Sequence, residues 1–270
     1  MANSPCDSSG EQHRDMPVFD ALLSLLKENR SLPHYQAERR IDIFVNLFLA
    51  ELLSDHYDDK VIFVAPEFPF KNPLGNRSKK LDYLCAFAAT KQPIFVELKT
   101  DVRSFGEARA KGYFEKAQDW PACIKNLVAI IAEGSITDHN RHKYSILMSR
   151  LLDTGLVLPA TAPQDRPDRS TARIINVPGK PIYKLGVSRD SINLSEYISI
   201  QWDQHAELIY LGPKDAKMRG KIEGLSKDRP DSKVSPELLD FAQIANRSTN
   251  VDTKYPEEFR RFADFLRDLT

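Results

Sequence analysis

The sequence predicts a mixed α/β (α+β) fold, in which helices flank a central mixed sheet and further helices follow at the carboxyl end. Three observations predict it. An amphipathic helical stripe runs through residues 33–57, β-branched and aromatic runs follow between residues 60 and 99, and helical spacing returns after residue 104. A helix, consecutive strands and a second helix in this order are typical of a sheet covered by helices.

The composition is that of an ordinary globular chain with balanced charge. Of 270 residues, 41% are hydrophobic, and 38 basic residues match 38 acidic ones, so the formal charge is zero. This balance excludes a basic field over the whole molecule, although local basic patches are compatible with it. Three widely spaced cysteines (Cys6, Cys85 and Cys123) indicate neither a disulfide framework nor a zinc site.

The amino-terminal residues 1–16 are polar, and we expect them to form a disordered tail. They lack the apolar segment of a secretory signal. No apolar run in the chain approaches the roughly 18 residues that a membrane-spanning helix needs. We therefore expect a cytoplasmic protein with no membrane partner.

The first elements are predicted to be two helices. Residues 17–29 have helical spacing, and Pro17 is acceptable in a first turn. A longer helix is predicted over residues 33–57, because its apolar residues recur at three- and four-residue steps that define one face. These residues are Ile41, Val45, Phe48 and Leu52.

Three strands are predicted next. The run at residues 60–70 is β-branched and aromatic, and its prolines are expected to stop it. A basic loop at 71–80 leads to strands at 81–89 and 93–99. Only a three-residue polar turn separates the last two strands, which favours an antiparallel hairpin.

The second half of the chain is predicted to be mixed. Ser104 followed by Glu107 matches a capping box, the start signal of a helix. Ser235 before Pro236 is likewise interpreted as a helix start, and a charged linker is expected at 213–234. Further helices are predicted near 121–134, 138–155, 236–246 and 256–269, and strand candidates are 173–177, 196–202 and 206–213.

The strand at residues 93–99 carries a carboxylate and an ammonium on one face, because side chains alternate along a strand. These are Glu97 and Lys99. If the hairpin is centred between Ala89 and Thr90, Asp82 lies directly opposite Glu97, about 5 Å away at the Cβ atoms. Two half-buried carboxylates so close repel each other. A hard divalent cation between them relieves the repulsion, and a neighbouring lysine suits phosphodiester hydrolysis.

Asp82, followed fifteen residues later by Glu97-Leu98-Lys99, resembles the active-site signature of the PD-(D/E)xK nuclease superfamily. The resemblance covers roughly residues 33–120 and departs from the usual pattern at Leu81, where a proline commonly precedes the aspartate. It implies a restriction-endonuclease-like core of helix, three-strand meander, helix and further strand, the last at 206–213. It also implies Mg²⁺ (or Mn²⁺) held by Asp82, Glu97 and the Leu98 carbonyl, with Lys99 orienting or activating the attacking water.

Two further glutamates are weaker candidates. Glu38 falls near the edge of the apolar stripe of the long helix, and the resemblance implies that it can reach the metal. A surface salt bridge on the helix is the alternative. Glu67 is more simply interpreted as structural, and the basic loop at 71–80 can either hold phosphates or be solvated.

By this resemblance, residues 17–212 form a nuclease-like domain with an insertion, the linker at 213–234 follows, and residues 235–270 form a helical extension. DNA is the expected substrate. The alternative is a catalytically inactive protein of the same fold that serves as a nucleic-acid or protein interaction module. The oligomeric state is open, and a homodimer is compatible with the sequence.

Overall fold

The computed structural model describes most of the chain. Its described residues are 18–29, 37–70, 79–132, 138–159, 173–177, 180–184, 198–199, 205–227, 229–247 and 252–269. The predicted tail at 1–16 and most of the predicted basic loop at 71–80 lie outside them. None of the described helices is both long and apolar enough to cross a membrane.

Helices account for much of the described chain. They are α1 (Val18–Asn29), α2 (Ala37–Tyr57), α3 (Glu107–Ala117), α4 (Trp120–Ala132), α5 (Asp138–Asp153), α6 (Ala216–Lys227), α7 (Phe241–Arg247) and α8 (Pro256–Arg267), with a 3-10 turn at Val102–Ser104. The helices predicted over residues 33–57 and 256–269 are confirmed as α2 and α8.

The strands form one large sheet and two small ribbons. They are β1 (Val61–Phe70), β2 (Lys79–Phe87), β3 (Pro93–Leu98), β4 (Leu158–Pro159), β5 (Arg173–Val177), β6 (Lys180–Lys184), β7 (Ile198–Ser199), β8 (Glu207–Gly212) and β9 (Glu237–Asp240). The large sheet has the order β1-β2-β3-β8-β9, while β4 pairs with β7 and β5 with β6. Of the strand candidate at 196–202, the structure describes Ile198–Ser199, which form β7.

The large sheet is mixed, as predicted. β1, β2 and β3 form an antiparallel meander, and β8 and β9 continue the sheet in parallel with β3. Tyr83 pairs with Val96, and Ala86 pairs with Pro93. These partners have the register that the sequence predicted for the hairpin. The three parallel strands all end at one edge of the sheet.

Helices cover both faces of this sheet, because strand residues alternate between two buried clusters. One face carries Phe95 and is covered by α3, α4, α5 and α6. The other carries Val96 and Leu98 and is covered by α1, α2, α7 and α8. An α+β architecture with a sheet between two helical layers follows. Side chains on opposite faces of β3 therefore contact different sets of helices.

The prolines of β1 do not stop the strand. Pro66 and Pro69 both lie within it and pair with residues of β2. Because β1 is an edge strand of the large sheet, a residue that lacks an N–H donor is tolerated there. The prediction that the prolines end this strand is wrong.

The predicted helix start at Ser104 is also wrong. Gly106 is the N-cap of α3, and Ser104 lies in the preceding 3-10 turn, where its hydroxyl donates to the Asp101 carbonyl oxygen at 2.7 Å. Asp101 caps this turn by accepting from the Arg103 backbone N–H at 2.8 Å. Ser104, which the sequence pattern assigned to a capping box, therefore stabilises the 3-10 turn after β3 instead of capping α3.

The predicted linker at 213–234 contains a helix. Residues Ala216–Lys227 form α6, whose Met218 and Ile222 are buried against the sheet. Asp215 begins the helix by accepting a hydrogen bond from the Met218 backbone N–H at 2.6 Å. Within this stretch, the charged residues of Ala216–Lys227 belong to a helix packed on the sheet.

Ser235 does not begin a helix. Residues Glu237–Asp240 form β9, which pairs with β8, and α7 begins at Phe241. The helix start is a reciprocal pair between Asp240 and Gln243, in which each side chain accepts from the backbone N–H of the other, at 2.8 and 2.9 Å. The carboxyl segment, predicted as a helical extension, therefore contributes a strand to the large sheet.

Candidate metal centre at the carboxyl edge of the sheet

The candidate site lies where β3 ends beside β8. Glu97 pairs with Tyr210, and the Lys99 backbone N–H donates to the Leu211 carbonyl oxygen at 2.7 Å. Glu97 is 1% exposed and Lys99 is 3% exposed. The parallel strand β8 thus holds the end of β3 in place, and both ionisable side chains are buried among helices and strands.

The Lys99 ammonium makes two short contacts within this site. It donates to Glu97 Oε1 and to the Leu98 carbonyl oxygen, each at 2.8 Å. Because both side chains of the ion pair are buried, the pair gains from a low local dielectric but also carries a desolvation cost. Lys99 therefore touches two of the oxygens that the sequence analysis assigned to a metal.

Asp82 lies on β2, one step beyond the last regular β2–β3 pair at Tyr83 and Val96. Its Oδ2 accepts from the Leu98 backbone N–H at 2.8 Å. This hydrogen bond ties the partly buried aspartate to the end of β3. The predicted approach of Asp82 to the segment Glu97–Lys99 is confirmed.

The Glu97 carboxyl is electrostatically strained. Burial raises its pKa to about 7, and the charge of Asp82 acts in the same direction. The charge and hydrogen bond of Lys99 and the charge of Arg109 oppose this rise. Glu97 Oε2 is buried and has no hydrogen-bond partner among the described residues. A carboxylate with one unsatisfied buried oxygen is costly unless another group binds it.

Three residues at this site were missed by the sequence analysis. Arg109 Nη1 lies 3.9 Å from Glu97 Oε1, with its side chain 54% exposed. Tyr113 donates from its phenol to the Lys80 carbonyl oxygen at 2.6 Å. Tyr210 stands beside Glu97 on β8. The sequence offered one signal for Arg109 and Tyr113: the predicted helix that carries them follows β3 closely, which places its start near the end of that strand.

Glu67 does not join the site. Glu67 has a left-handed backbone (φ 50°), its side chain is 70% exposed, and it accepts from Lys80 Nζ at 2.8 Å. Glu38 lies in the first turn of α2, a helix that packs on the opposite face of the sheet from Glu97. The side chain of Glu38 is outside the described side chains, so its role as a ligand stays a prediction.

The donor set fits a hard divalent cation. The described residues contain no group of three His, Cys, Asp or Glu side chains placed to hold a metal, so the oxygens at hand are two carboxylates and one carbonyl. Glu97 Oε2 is a buried oxygen without a partner among described residues, which a cation would satisfy. A cation at the Leu98 carbonyl would require the Lys99 ammonium to move away, because both are positive.

Comparison of the chain with protein-family models, with curated proteins and with solved structures finds no match. What the protein does is therefore argued from the chemistry of this site.

Proposed function

We propose that the protein is a divalent-metal-dependent nuclease that hydrolyses DNA phosphodiester bonds. The observation that carries the proposal is the convergence of Asp82, Glu97 and Lys99 at one edge of the sheet, with a buried carboxylate oxygen left unsatisfied among the described residues. Two acids and a lysine in this arrangement suit attack of water on phosphorus.

The order of elements supports a restriction-endonuclease-like core. Helix α2, the meander β1–β3, helix α3 and the parallel strand β8 follow one another as the resemblance to the PD-(D/E)xK superfamily implies. The insertion expected between α3 and the last strand corresponds to the elements from α4 to β7. We propose this fold as the framework of the site.

Each residue has a separate role in the proposal. Mg²⁺ or Mn²⁺, held by Asp82, Glu97 and the Leu98 carbonyl, would supply Lewis-acid stabilisation and a bound water of lowered pKa. Lys99 orients the attacking water and places a positive charge where negative charge develops on the phosphate. The buried position of Lys99 makes this charge effective, since water screens it weakly there.

DNA binding is proposed to use local rather than global charge. Exposed basic side chains lie near the starts of the two helices that border this edge, namely Arg109 and Lys111 on α3 and Lys217 on α6. Such groups contact the phosphate backbone and position it without reading sequence. This agrees with a chain whose formal net charge is zero.

Cleavage of single-stranded, duplex and branched DNA in the presence of Mn²⁺ tests the proposal. We expect the wild type to cut at least one of these forms, and we expect Glu97→Gln and Lys99→Met to abolish cutting. Lys27→Met is a matched control. Lys27 lies on α1 and forms an exposed ion pair with Asp268, so this substitution should leave cleavage unchanged. Cleavage retained in both site variants would contradict the assignment.

The contact of Lys99 with Glu97 Oε1 and the Leu98 carbonyl favours a second candidate. An ammonium that permanently satisfies these oxygens would close the site to metal, and the fold would then serve as a nucleic-acid or protein interaction module. This candidate predicts DNA binding that neither Mn²⁺ nor Asp82→Asn changes. A fluorescence anisotropy titration of labelled DNA measures this directly.

A further inference from the structure

Two buried polar atoms without hydrogen-bond partners lie on neighbouring strands beside the candidate metal centre. They are Glu97 Oε2 on β3 and Tyr210 Oη on β8, and neither has a partner among the described residues. Buried polar atoms in proteins are hydrogen-bonded in the great majority of cases. Two such exceptions at adjacent positions therefore call for a common explanation.

The strand register brings the two side chains together. Glu97 and Tyr210 are direct partners in the parallel pairing of β3 and β8. Neighbouring strands are about 4.8 Å apart, so side chains on one face at paired positions are in reach of each other. Tyr210 is 1% exposed, and its ring makes an edge contact with Phe105, with ring centroids 5.6 Å apart. The phenol is thus held in a fixed place.

The chemistry of the two atoms is complementary. A phenol carries one O–H donor and keeps its proton near neutral pH, so Tyr210 can donate a hydrogen bond. A carboxylate oxygen accepts up to two hydrogen bonds. Oε1 of Glu97 already accepts from Lys99. Tyr113 also lies beside Glu97, but its phenol donates to the Lys80 carbonyl oxygen, so Oε2 has no donor among the described residues.

We propose that Tyr210 is a positioning residue of the metal centre: its phenol donates to Glu97 Oε2, through one buried water where the atoms do not meet directly. With Lys99 on Oε1 and Tyr210 on Oε2, the rotation of the carboxylate is fixed before a cation binds, and the second lone pair of Oε2 stays available to the cation. This inference rests on the proposed function. Its consequence is a higher metal affinity, because partners that orient a ligand typically contribute a factor of about 10 to 100.

The test uses Tyr210→Phe, which keeps the ring and removes only the hydroxyl. We expect Mn²⁺ binding, measured by isothermal titration calorimetry, to weaken by about tenfold. Tyr57→Phe is the matched control, since Tyr57 is a phenol whose ring contacts His56 and Phe87 at the other edge of the sheet. The control should bind Mn²⁺ as the wild type does. Equal affinity in Tyr210→Phe and the wild type would overturn the inference.

A metal-free measurement separates this inference from the proposed function. Crystal structures of the wild type and of Tyr210→Phe without metal provide this measurement. In the wild type, the Tyr210 phenol should be bonded to Glu97 Oε2 or share one water with it. In the variant, the Glu97 carboxylate should be rotated. Tyr210 Oη bonded to any other group would overturn the positioning role. A wild type that binds no Mn²⁺ but keeps this hydrogen bond would instead overturn the proposed function and the predicted gain in affinity.

Discussion

The ion pair of Glu97 and Lys99 stands at the end of an otherwise apolar strand because the neighbouring strand and helices close over it. Each charge alone would be costly to bury, and the 2.8 Å contact compensates both. The raised pKa of Glu97 shows that the compensation is incomplete, since burial and Asp82 outweigh Lys99 and Arg109. The Glu97 carboxylate is therefore only partly stabilised in the folded protein.

The pH dependence of folding stability is the first consequence at the residue scale. Glu97 has a pKa of about 7 in the folded protein, against an ordinary value of 4.5. Between these values the folded state binds more protons than the unfolded state. The contribution of Glu97 to the free energy of unfolding is therefore fully present below pH 4.5 and is lost as the pH rises through 7. Each unit of pKa difference corresponds to about 1.4 kcal/mol.

We therefore expect the free energy of unfolding of the wild type to fall relative to Glu97→Gln between about pH 4.5 and about pH 7. Urea denaturation of both proteins across this range measures the difference. Glu115→Gln removes an exposed carboxyl paired with Arg229 and should follow the wild type. Parallel curves for the wild type and Glu97→Gln would show that Glu97 is not the group responsible.

Gly212 gives a second prediction at the residue scale. A Cβ atom at this position would lie 3.1 Å from the Lys99 carbonyl oxygen and 3.2 Å from Met218 Cε. The backbone of Lys99 would have to shift, which displaces the Lys99 ammonium. We expect Gly212→Ala to destabilise the fold by about 1–3 kcal/mol and to reduce cleavage.

Gly224 is the matched control for Gly212. It lies within α6, and a Cβ atom there meets no heavy atom within 4 Å. Gly224→Ala should stabilise the fold by up to about 1 kcal/mol, because alanine favours the helix and loses less backbone freedom on folding. In thermal unfolding, Gly212→Ala should melt below the wild type and Gly224→Ala should not. In the cleavage assay, only Gly212→Ala should lose activity. Equal effects would show that the contact with Lys99 is unimportant.

At the scale of elements, α6 shows how a charged stretch can be a core helix. Its buried residues, Met218 and Ile222, are four residues apart, and the partly buried Leu225 continues the same face. This spacing was present in the sequence, but the many charges favoured the interpretation as a linker. A few apolar residues on one face are sufficient to bury a helix when the sheet beneath provides a large apolar surface.

The start of α7 gives a prediction at this scale. Asp240 is buried, accepts from the Gln243 backbone N–H, and lies 3.0 Å from Arg219 Nη2 of α6. Asp240→Ala removes the cap and leaves Arg219 without this partner, so we expect a loss of about 2 kcal/mol or more in urea denaturation. Asp240→Asn keeps the cap and should lose less.

Asp264→Ala is the control for this cap. Asp264 forms an exposed pair with Arg267 on the surface of α8, and exposed pairs contribute little. A variant at Asp240 no less stable than the Asp264 variant would show that the cap does not hold α7 against the sheet.

At the scale of the whole molecule, local patterns predicted the meander and a strand at 206–213, but not how that strand joins the sheet. The hairpin register followed from a three-residue turn and from strand alternation, so Asp82 was placed near Glu97 correctly. The pairing of β3 with β8 joins segments more than a hundred residues apart, and no local pattern fixes its register. Tyr210 and the strand β9 were missed for this reason. Arg109 was missed because it lies on α3, which begins at Glu107 after the N-cap Gly106 and not at Ser104.

Metal-linked stability is the prediction that involves the whole fold. A ligand that binds only the folded protein stabilises it by mass action, by about 2.7 kcal/mol at a concentration of about 100 times its Kd. If Asp82 and Glu97 hold a cation, Mn²⁺ should therefore raise the melting temperature of the wild type, and Asp82→Asn should lose this rise. Glu67→Gln is the matched control, because Glu67 lies on the strand next to Asp82 but is exposed and paired with Lys80. A rise of the same size in Asp82→Asn would place the bound cation elsewhere, whereas no rise in the wild type would favour the interaction module.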